Sequence, residues 1–343
     1  MMNTSVLSTN SQSTRLVEES SINFKLKLPS GMHQTLCCPA CRSKLVVNQE
    51  QFECINPSCK TPFPIVNGIP ILINESASIF SINDFINYEN TTFNLKPKSK
   101  FKQILENLIP KTDVNVKSQT NYKKFAELVQ RQSENPKILV IGGSILGKGM
   151  EAIYSIPSVE IIESDVSFGP RTALICDAHD LPFDDSSFDG VIVQAVLEHV
   201  VDPNRCVEEI HRVLKENGVV YAETPFMQQV HMGRYDFTRF THLGHRRLFR
   251  KFEEVSSGPV CGPGMALSWS YEYFFLSFVK TKGAKDLVKG LTRLTSFWLK
   301  YFDYLLIDRP GTFDAAAGYY FIGTRSDRIL PDRELIKLYK GIQ

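Results

Sequence analysis

Lys137-Ile-Leu-Val-Ile-Gly142-Gly-Ser-Ile-Leu-Gly147-Lys-Gly149 is the stretch that decides the fold. Ile138 to Ile141 read as a buried strand, and the glycines after it let the backbone turn sharply and approach a ligand closely. In an open α/β sheet the carboxyl end of such a strand is where nucleotide-like molecules bind. A glycine-rich turn alone suits a dinucleotide as well as other nucleosides. Distances downstream narrow the choice. Asp165 follows a second apolar run, Val159-Glu-Ile-Ile162, 23 residues beyond Gly142. There a carboxylate can accept from both ribose hydroxyls. Nothing in the chain marks a hydride-transfer constellation.

Outward from that stretch, strand and helix patterns alternate. Thr172–Ile175 reads as a third strand, leading to Asp177 in Cys176-Asp-Ala-His-Asp-Leu-Pro-Phe183. Phe188-Asp-Gly-Val-Ile-Val193 is a fourth, followed by a helix near Pro203–Leu214 and a fifth strand at Gly218–Ala222. Two more candidates lie at Glu253–Ser256 and Gly318–Ile322. Upstream, a helix over 121–132 places Tyr122, Phe125, Leu128 and Val129 on one face, and a shorter pattern covers 101–108. Such alternation predicts an α/β, doubly wound parallel sheet with helices on both faces.

This series resembles the class I S-adenosylmethionine-dependent methyltransferases of the type 11 kind. The resemblance runs on through Gln194-Ala-Val-Leu-Glu-His-Val200 and Glu209-Ile-His-Arg-Val-Leu-Lys-Glu-Asn-Gly218 to Glu223-Thr-Pro225. It implies a Rossmann-like, seven-stranded sheet and S-adenosylmethionine as methyl donor. It also implies that Gly142, Gly143, Ser144, Gly147 and Gln194 flank the methionine part of the donor. By the same resemblance Asp165 and Asp177 bind the ribose and the adenine amino group, and the backbone near Ala178 reads the adenine ring. Two features depart from the pattern. The customary Gly-x-Gly turn is Gly142-Gly-Ser-Ile-Leu-Gly147, and 164–171 is too short for the usual helix, which predicts an open flank.

Ahead of this lies a cysteine module. Cys38-Pro-Ala-Cys41 and Cys54-Ile-Asn-Pro-Ser-Cys59 present two thiolate pairs at the spacing of a tetrahedral zinc site. A segment of about 40 residues with few core apolars needs such a staple. Cys37 reads as a bystander, and Cys176, Cys206 and Cys261 are scattered. The run from Cys38 to Phe63-Pro-Ile-Val-Asn-Gly-Ile-Pro-Ile-Leu72 resembles the zinc-ribbon proteins that act as activating partners of tRNA and protein methyltransferases. Its charges balance, so a structural or docking role is expected of it rather than RNA binding.

Composition sets the outer limits. Of 343 residues 43% are hydrophobic and 22% charged, with a net charge of +2, which is ordinary for a globular protein and not that of a dedicated nucleic-acid binder. The Ser/Thr/Asn-rich start shows no secretory core, and Met265–Val279 is too short and interrupted to span a bilayer. A cytoplasmic protein is expected. The domains read as a disordered tail (1–32), a zinc ribbon (33–75), a linker and helical segment (76–120), the methyltransferase domain (121–325) and a C-terminal helix or tail (326–343).

The acceptor side is harder to read. Between Met227 and Lys251 the chain carries His231, Tyr235, Asp236 and Arg239 among many basic residues. His231 or Asp236, or His199 after the fourth strand, could serve as general base, and Tyr235 and Arg239 could hold an anionic acceptor. A plain alternative is an amphipathic helix from Gly244 with Leu248, Phe249 and Phe252 inward and Arg246, Arg247 and Arg250 outward. The aromatic insertion at 265–307 could be a lid, a dimer face or a peripheral membrane contact, with core packing of a helical cap the plainest expectation. Tyr-Asp-Phe-x-Arg-Phe-Thr stretches like 235–241 occur in methyltransferases related to polysaccharide and lipid pathways. The expected acceptor is therefore a small molecule, a sugar or glycan, or a lipid-linked intermediate, methylated on oxygen or nitrogen. Two rivals stand beside it. One is an rRNA or tRNA methyltransferase, by analogy with a ribosomal-RNA guanine enzyme that carries a zinc ribbon. The other is a non-catalytic donor-binding scaffold acting through the ribbon.

Overall fold

The computed structural model describes residues 26–29, 31–48, 51–87 and 109–342. The expected tail over 1–25, the basic stretch at Lys96–Lys102 and the helix at 101–108 lie outside the described residues.

Seven strands form the catalytic sheet: β5 (Lys137–Ile141), β6 (Glu160–Asp165), β7 (Leu174–Cys176), β8 (Phe188–Gln194), β9 (Leu214–Pro225), β10 (Phe252–Cys261) and β11 (Gly318–Arg325). Their order is β7-β6-β5-β8-β9-β11-β10, and β11 runs antiparallel to both neighbours. β5, all but its first residue buried, lies in the middle, as an apolar run covered on both faces must. The fifth strand begins at Leu214, earlier than the sequence predicts, with a register shift where the helix before it runs straight into the ladder.

Four helices bear on the site: α1 (Ile82–Ile86), α2 (Ser118–Gln130), α3 (Glu151–Tyr154) and α4 (Pro203–Val213). α2 sets Tyr122, Phe125 and Val129 against Ile138, Ile192 and Tyr221 on one face of the sheet. α4 starts on Asp202, whose side chain accepts from the amides of Asn204 and Arg205, with Pro203 at the first helical position. It packs Cys206, Ile210 and Val213 on the opposite face.

The cysteine module supplies β1 (Leu45–Asn48), β2 (Gln51–Cys54), β3 (Pro62–Val66) and β4 (Ile69–Leu72). β4 is buried throughout and pairs in parallel with β7, Ile71 opposite Ile175 and Leu72 opposite Cys176. The seven-stranded sheet is thereby lengthened to eleven. Leu36, Phe52 and Phe63 share one core with Phe183, Phe188 and Ile210, so the ribbon packs directly on the catalytic sheet. Polar contacts pin the same face. Arg42, held at φ 64 by the first knuckle, donates to Glu209 Oε2 at 2.6 Å and to the Leu181 carbonyl, and Lys44 pairs with Asp184.

Three expectations change here. Residues 26–29, 31 and 32 are not tail: Leu28 and Met32 are buried in the ribbon core, and the Lys27 amide donates to the Gly68 carbonyl. The flank beside 164–171 is not open. Phe80 and Phe85, on the segment after the ribbon, join Ile71, Ile73 and Ile175 in a cluster with Phe168 packed against it. The aromatic insertion is not mainly core. Its helices α6 (Pro263–Leu276) and α7 (Lys282–Ser296), which follow α5 (His242–Leu248), bury Met265, Ala266 and Ser268 but leave Phe274, Phe275, Leu287 and Leu291 exposed. A pair between Arg293 and Glu272 ties the two helices together. Among the described residues no helix is long and apolar enough to cross a membrane.

The four sulfurs of Cys38, Cys41, Cys54 and Cys59 all lie within 4.8 Å of one another, with Cys38–Cys59 at 3.8 Å and Cys41–Cys54 at 3.4 Å. Tetrahedral zinc–thiolate bonds of about 2.3 Å require sulfurs about 3.8 Å apart. The four thiols fit a structural zinc, and Cys37 stands outside them. Cys54→Ser is expected to release the ribbon zinc and to destabilise the whole chain by more than about 4 kcal/mol, because β4 is part of the catalytic sheet. Metal analysis with thermal melting checks this. Loss of zinc with an unchanged melt would show instead that the ribbon and sheet fold independently.

Candidate functional site

Two cavities meet at the carboxyl ends of the parallel strands, and Ile141, Gly142 and Ala195 line both. Two backbone positions create the division. Gly142 sits at φ 75, and a Cβ there would collide with Val196, so only glycine keeps the shared wall one backbone thick. Ala195, at φ 53, tips the chain out of β8 into the turn carrying Val196 to Val200.

The smaller cavity is apolar with acids at its rim. Asp165, Asp177 and Ala178 line it together with Ile79, Phe80 and Val200. Asp165 ends β6, and its Oδ2 accepts from the Ser144 amide at 3.1 Å. Burial raises its pKa against those hydrogen bonds. Asp177 caps the short turn after β7. Its Oδ1 accepts from the His179 amide and faces His179 Nδ1 at 2.5 Å, while Ser78 Oγ donates to its Oδ2 at 2.5 Å. Burial works to raise that carboxyl, yet the hydrogen bonds from His179 and Ser78 leave it lowered.

Of the donor-site residues expected from sequence, Gly142, Asp165, Asp177 and Ala178 thus line one cavity, and Gly142, Gly147 and Gln194 line the other. Gly143 and Ser144 line neither. Gly143 donates to the Ser164 carbonyl and Ser144 holds the Asp165 carboxylate, so both act from behind the wall. Ser78, Ile79 and Phe80 escaped the sequence reading, because nothing local links a segment after a zinc ribbon to a strand about a hundred residues later.

The larger cavity measures about 390 Å³, in the range of small-molecule sites. A buried polar network forms its inner wall. Glu223 Oε2 accepts from Gln194 Nε2 at 2.8 Å and Asn115 Nδ2 at 2.9 Å, and Tyr221 donates to Oε1. Tyr122 in turn donates to Gln194 Oε1 at 2.8 Å. Burial raises the Glu223 carboxyl. Asn115, Tyr122 and Glu223 were also missed, since each reads as an ordinary loop, helix or strand residue.

On the outer wall stand Glu198 and His231. The loop carrying His231 is docked by its backbone, Phe237 and Thr238 amides donating to the Glu198 carbonyl. His199 lies against His231, ring centroids 4.8 Å apart, and its Nδ1 is 2.8 Å from the Tyr235 carbonyl. Burial, and then the neighbouring His231, push His199 down to about 4, and burial lowers His231 too. Burial pushes Glu198 up to about 8. Both imidazoles are therefore neutral at pH 7.

Three residues expected on the acceptor side are placed as follows. Arg239 pairs with Asp236 through both oxygens, Asp236 accepts the His231 amide at 2.9 Å, and against burial these hold its carboxyl at about 2. The N–H groups of Arg239 are directed to Asp236 and to the Gln228, Gln229 and Thr238 carbonyls. Together they fix the loop. Tyr235 packs its ring on Phe80 at 5.7 Å and lines neither cavity. The α5 expectation changes as well: Arg246 is buried, ion-paired with Glu254 at 2.8 Å, and His242 and His245 face inward with Leu248.

Two matches to known families overlie these features. A methyltransferase domain (Methyltransf_11) matches residues 157–222, and a Trm112p-like protein matches 31–68. Over 63 residues the chain is 48% identical to a demethylmenaquinone methyltransferase of Clavibacter sepedonicus, covering 18% of this chain and 25% of that one. Over 51 residues it is 33% identical to a UPF0434 protein of Alteromonas mediterranea, covering 15% and 80% respectively. The chain thus spans a quarter of the first relative and four-fifths of the second. Among solved structures it is similar to a Haemonchus contortus phosphoethanolamine N-methyltransferase 2 in complex with S-adenosyl-L-methionine. That likeness has a TM-score of 0.37 at 15% identity, over 60% of this chain and 52% of that one.

Ile79 gives a clean test of the smaller cavity, since it lines it, is 52% exposed and contributes little to the core. Ile79→Ala is expected to leave the melt within about 0.5 kcal/mol while weakening S-adenosylhomocysteine binding several-fold by calorimetry. Unchanged binding would remove the post-ribbon segment from the donor site.

Proposed function

The chain belongs to the class I methyltransferases and carries a Trm112p-like domain ahead of the catalytic one, and from this premise we propose that it transfers a methyl group from S-adenosylmethionine to a small-molecule, sugar or lipid-linked acceptor, on oxygen or nitrogen. The observation that carries the reading is the pair of cavities joined across Gly142, one apolar with acids at its rim and one polar and of small-molecule size.

The residues present fit the donor. Asp165 offers a carboxylate for the ribose hydroxyls, and Ala178 with Ile79, Phe80 and Val200 offers apolar walls for the adenine. Gly142, Gly147 and Gln194 flank the passage to the larger cavity. Asp177 has both carboxylate oxygens already engaged, so its part is to hold His179 and Ser78 in place at the rim. When bound, S-adenosylmethionine supplies an electrophilic methyl carbon on a sulfonium. The protein's share is to bind, orient and exclude water. The network from Glu223 through Gln194 to Tyr122 stiffens the wall beside that methyl, and the Arg239–Asp236 pair fixes the opposite wall. Transfer would break the donor's carbon–sulfur bond as a carbon–oxygen or carbon–nitrogen bond forms, the sulfur leaving neutral and the acceptor's proton passing to solvent.

The charge pattern supports a small acceptor over RNA. Of the six basic residues between Arg234 and Lys251, four (Arg239, Arg246, Arg247 and Lys251) are paired with Asp236, Glu254, Asp332 and Glu208. A phosphate backbone would find few free cations there.

Radiolabelled methyl transfer into fractionated lysate from cells lacking the protein tests the acceptor. Label is expected in the lipid and glycan or small-metabolite fraction, and label in RNA would overturn that class. Asp165→Ala is expected to weaken S-adenosylhomocysteine binding about 10- to 100-fold, the loss of charge-assisted hydrogen bonds, and to abolish labelling. Full binding in that variant would sink the donor assignment.

A further inference from the structure

Glu198 is the anomaly of the larger cavity. It is fully buried, and neither carboxylate oxygen has a hydrogen-bond partner. A buried carboxyl group without a hydrogen-bond partner is costly, and native proteins retain one where something else answers it. What faces Glu198 is a pair of imidazole nitrogens. Its Oε1 lies 3.6 Å from His199 Nε2 and 3.9 Å from His231 Nε2. One ligand atom from each of the three residues falls within 4.8 Å of the others.

The imidazoles are oriented as metal ligands are. His199 Nδ1 points at the Tyr235 carbonyl at 2.8 Å, which requires the proton on Nδ1 and leaves a lone pair on Nε2. His231 Nδ1 is 3.3 Å from the Gln229 carbonyl and 3.5 Å from Asp236 Oδ2, with the same consequence. Second partners of this kind fix the tautomer and aim the ligating nitrogen. Asp236 and Arg239, which line neither of the two joined cavities, hold the loop that carries His231.

We propose that Glu198, His199 and His231 bind a divalent first-row transition-metal ion at the outer wall of the larger cavity, where it holds an oxygen of the acceptor. A cation about 2.1 Å from each donor needs them about 3.0–3.4 Å apart, so the three donors, now 3.6 Å, 3.9 Å and at most 4.8 Å apart, would draw together around the ion. Two imidazoles and one carboxylate suit zinc, manganese, iron or cobalt better than magnesium or calcium. Three protein ligands leave further positions open. Glu198 and His231 both line the cavity, so those positions face the space assigned to the acceptor. The acceptor class narrows to molecules that present a metal-binding oxygen, such as a hydroxyl beside a second oxygen donor. This last step rests on the methyl-transfer reading, whereas the metal site does not.

The test uses the full chain with its ribbon zinc in place. Mn2+ is the probe, because thiolates do not compete for it and it reports a nitrogen–oxygen site. Electron paramagnetic resonance should show one Mn2+ bound per chain, displaced by one equivalent of Zn2+. Glu198→Gln and His231→Ala should each weaken binding by at least 100-fold with S-adenosylhomocysteine affinity within threefold of the parent. The histidine sits on an exposed loop, so its variant keeps the test open should the buried glutamate variant fail to fold. No cation beyond the ribbon zinc, or binding that survives both substitutions, overturns the site. Methyl transfer that proceeds undiminished after the second metal is stripped overturns its role with the acceptor and leaves the methyltransferase reading standing. Metal bound in this way without any methyl transfer does the reverse.

Discussion

Two residue pairs in parallel register, Ile71 with Ile175 and Leu72 with Cys176, set the geometry of much of this molecule. A parallel strand cannot be an open edge cheaply, because its unpaired amides and carbonyls lie between covered faces. β7 has only three residues and no helix leads into it from β6. β4 supplies the missing neighbour. Once it pairs there, the ribbon's Leu36, Phe52 and Phe63 must close over Phe183 and Phe188, and the chain leaving β4 must run along the carboxyl ends of the strands. That run is 73–87, and it delivers Ser78 to Asp177 and Phe80 to Phe85, Tyr235 and the cavity rim. The ribbon that carries the cysteine cluster is thereby part of how the smaller cavity keeps its shape.

This explains which parts of the fold were legible in the sequence. β5, β6 and β8 are runs of Val, Ile and Leu bounded by glycine or acid, and α2 and α4 have one apolar face each, so their patterns are local and strong. The cysteine spacing is equally local. The open flank was misread because its cover is not local at all: the residues that fill it, Phe80 and Phe85, are separated from 164–171 by about eighty positions. Residues 26–29, 31 and 32 were misread for a related reason. Leu28 and Met32 look like isolated apolars in a polar tail, and only the ribbon's own sheet gives them something to be buried against.

The candidate site divides along the same line. Gly142, Asp165, Asp177 and Ala178 were legible because a βα turn and the ends of neighbouring strands dictate them. The acceptor side was legible only as a list of polar residues. Sequence cannot say that Asp236 and Arg239 use up each other, or that His199 gives its Nδ1 to a carbonyl. Glu198 stands beside His199 in the sequence, where a glutamate reads as solvated surface. The left-handed turn at Ala195 reverses that by pulling the glutamate inward and the histidine toward the donor side.

The buried groups around the larger cavity also show two different ways of paying for polarity. Glu223 is satisfied inside the protein, by Tyr221, Gln194 and Asn115 together, and so adds rigidity without asking for a ligand. Asp236 is satisfied by Arg239 and the His231 amide. Glu198 lies between these two networks and belongs to neither. A fold that satisfies the carboxylates on both sides could have donated one more amide or hydroxyl to the third. That it instead aims two imidazole nitrogens at Glu198, each with its other nitrogen turned to a carbonyl, makes the bare carboxylate a feature of the site and not a defect of packing.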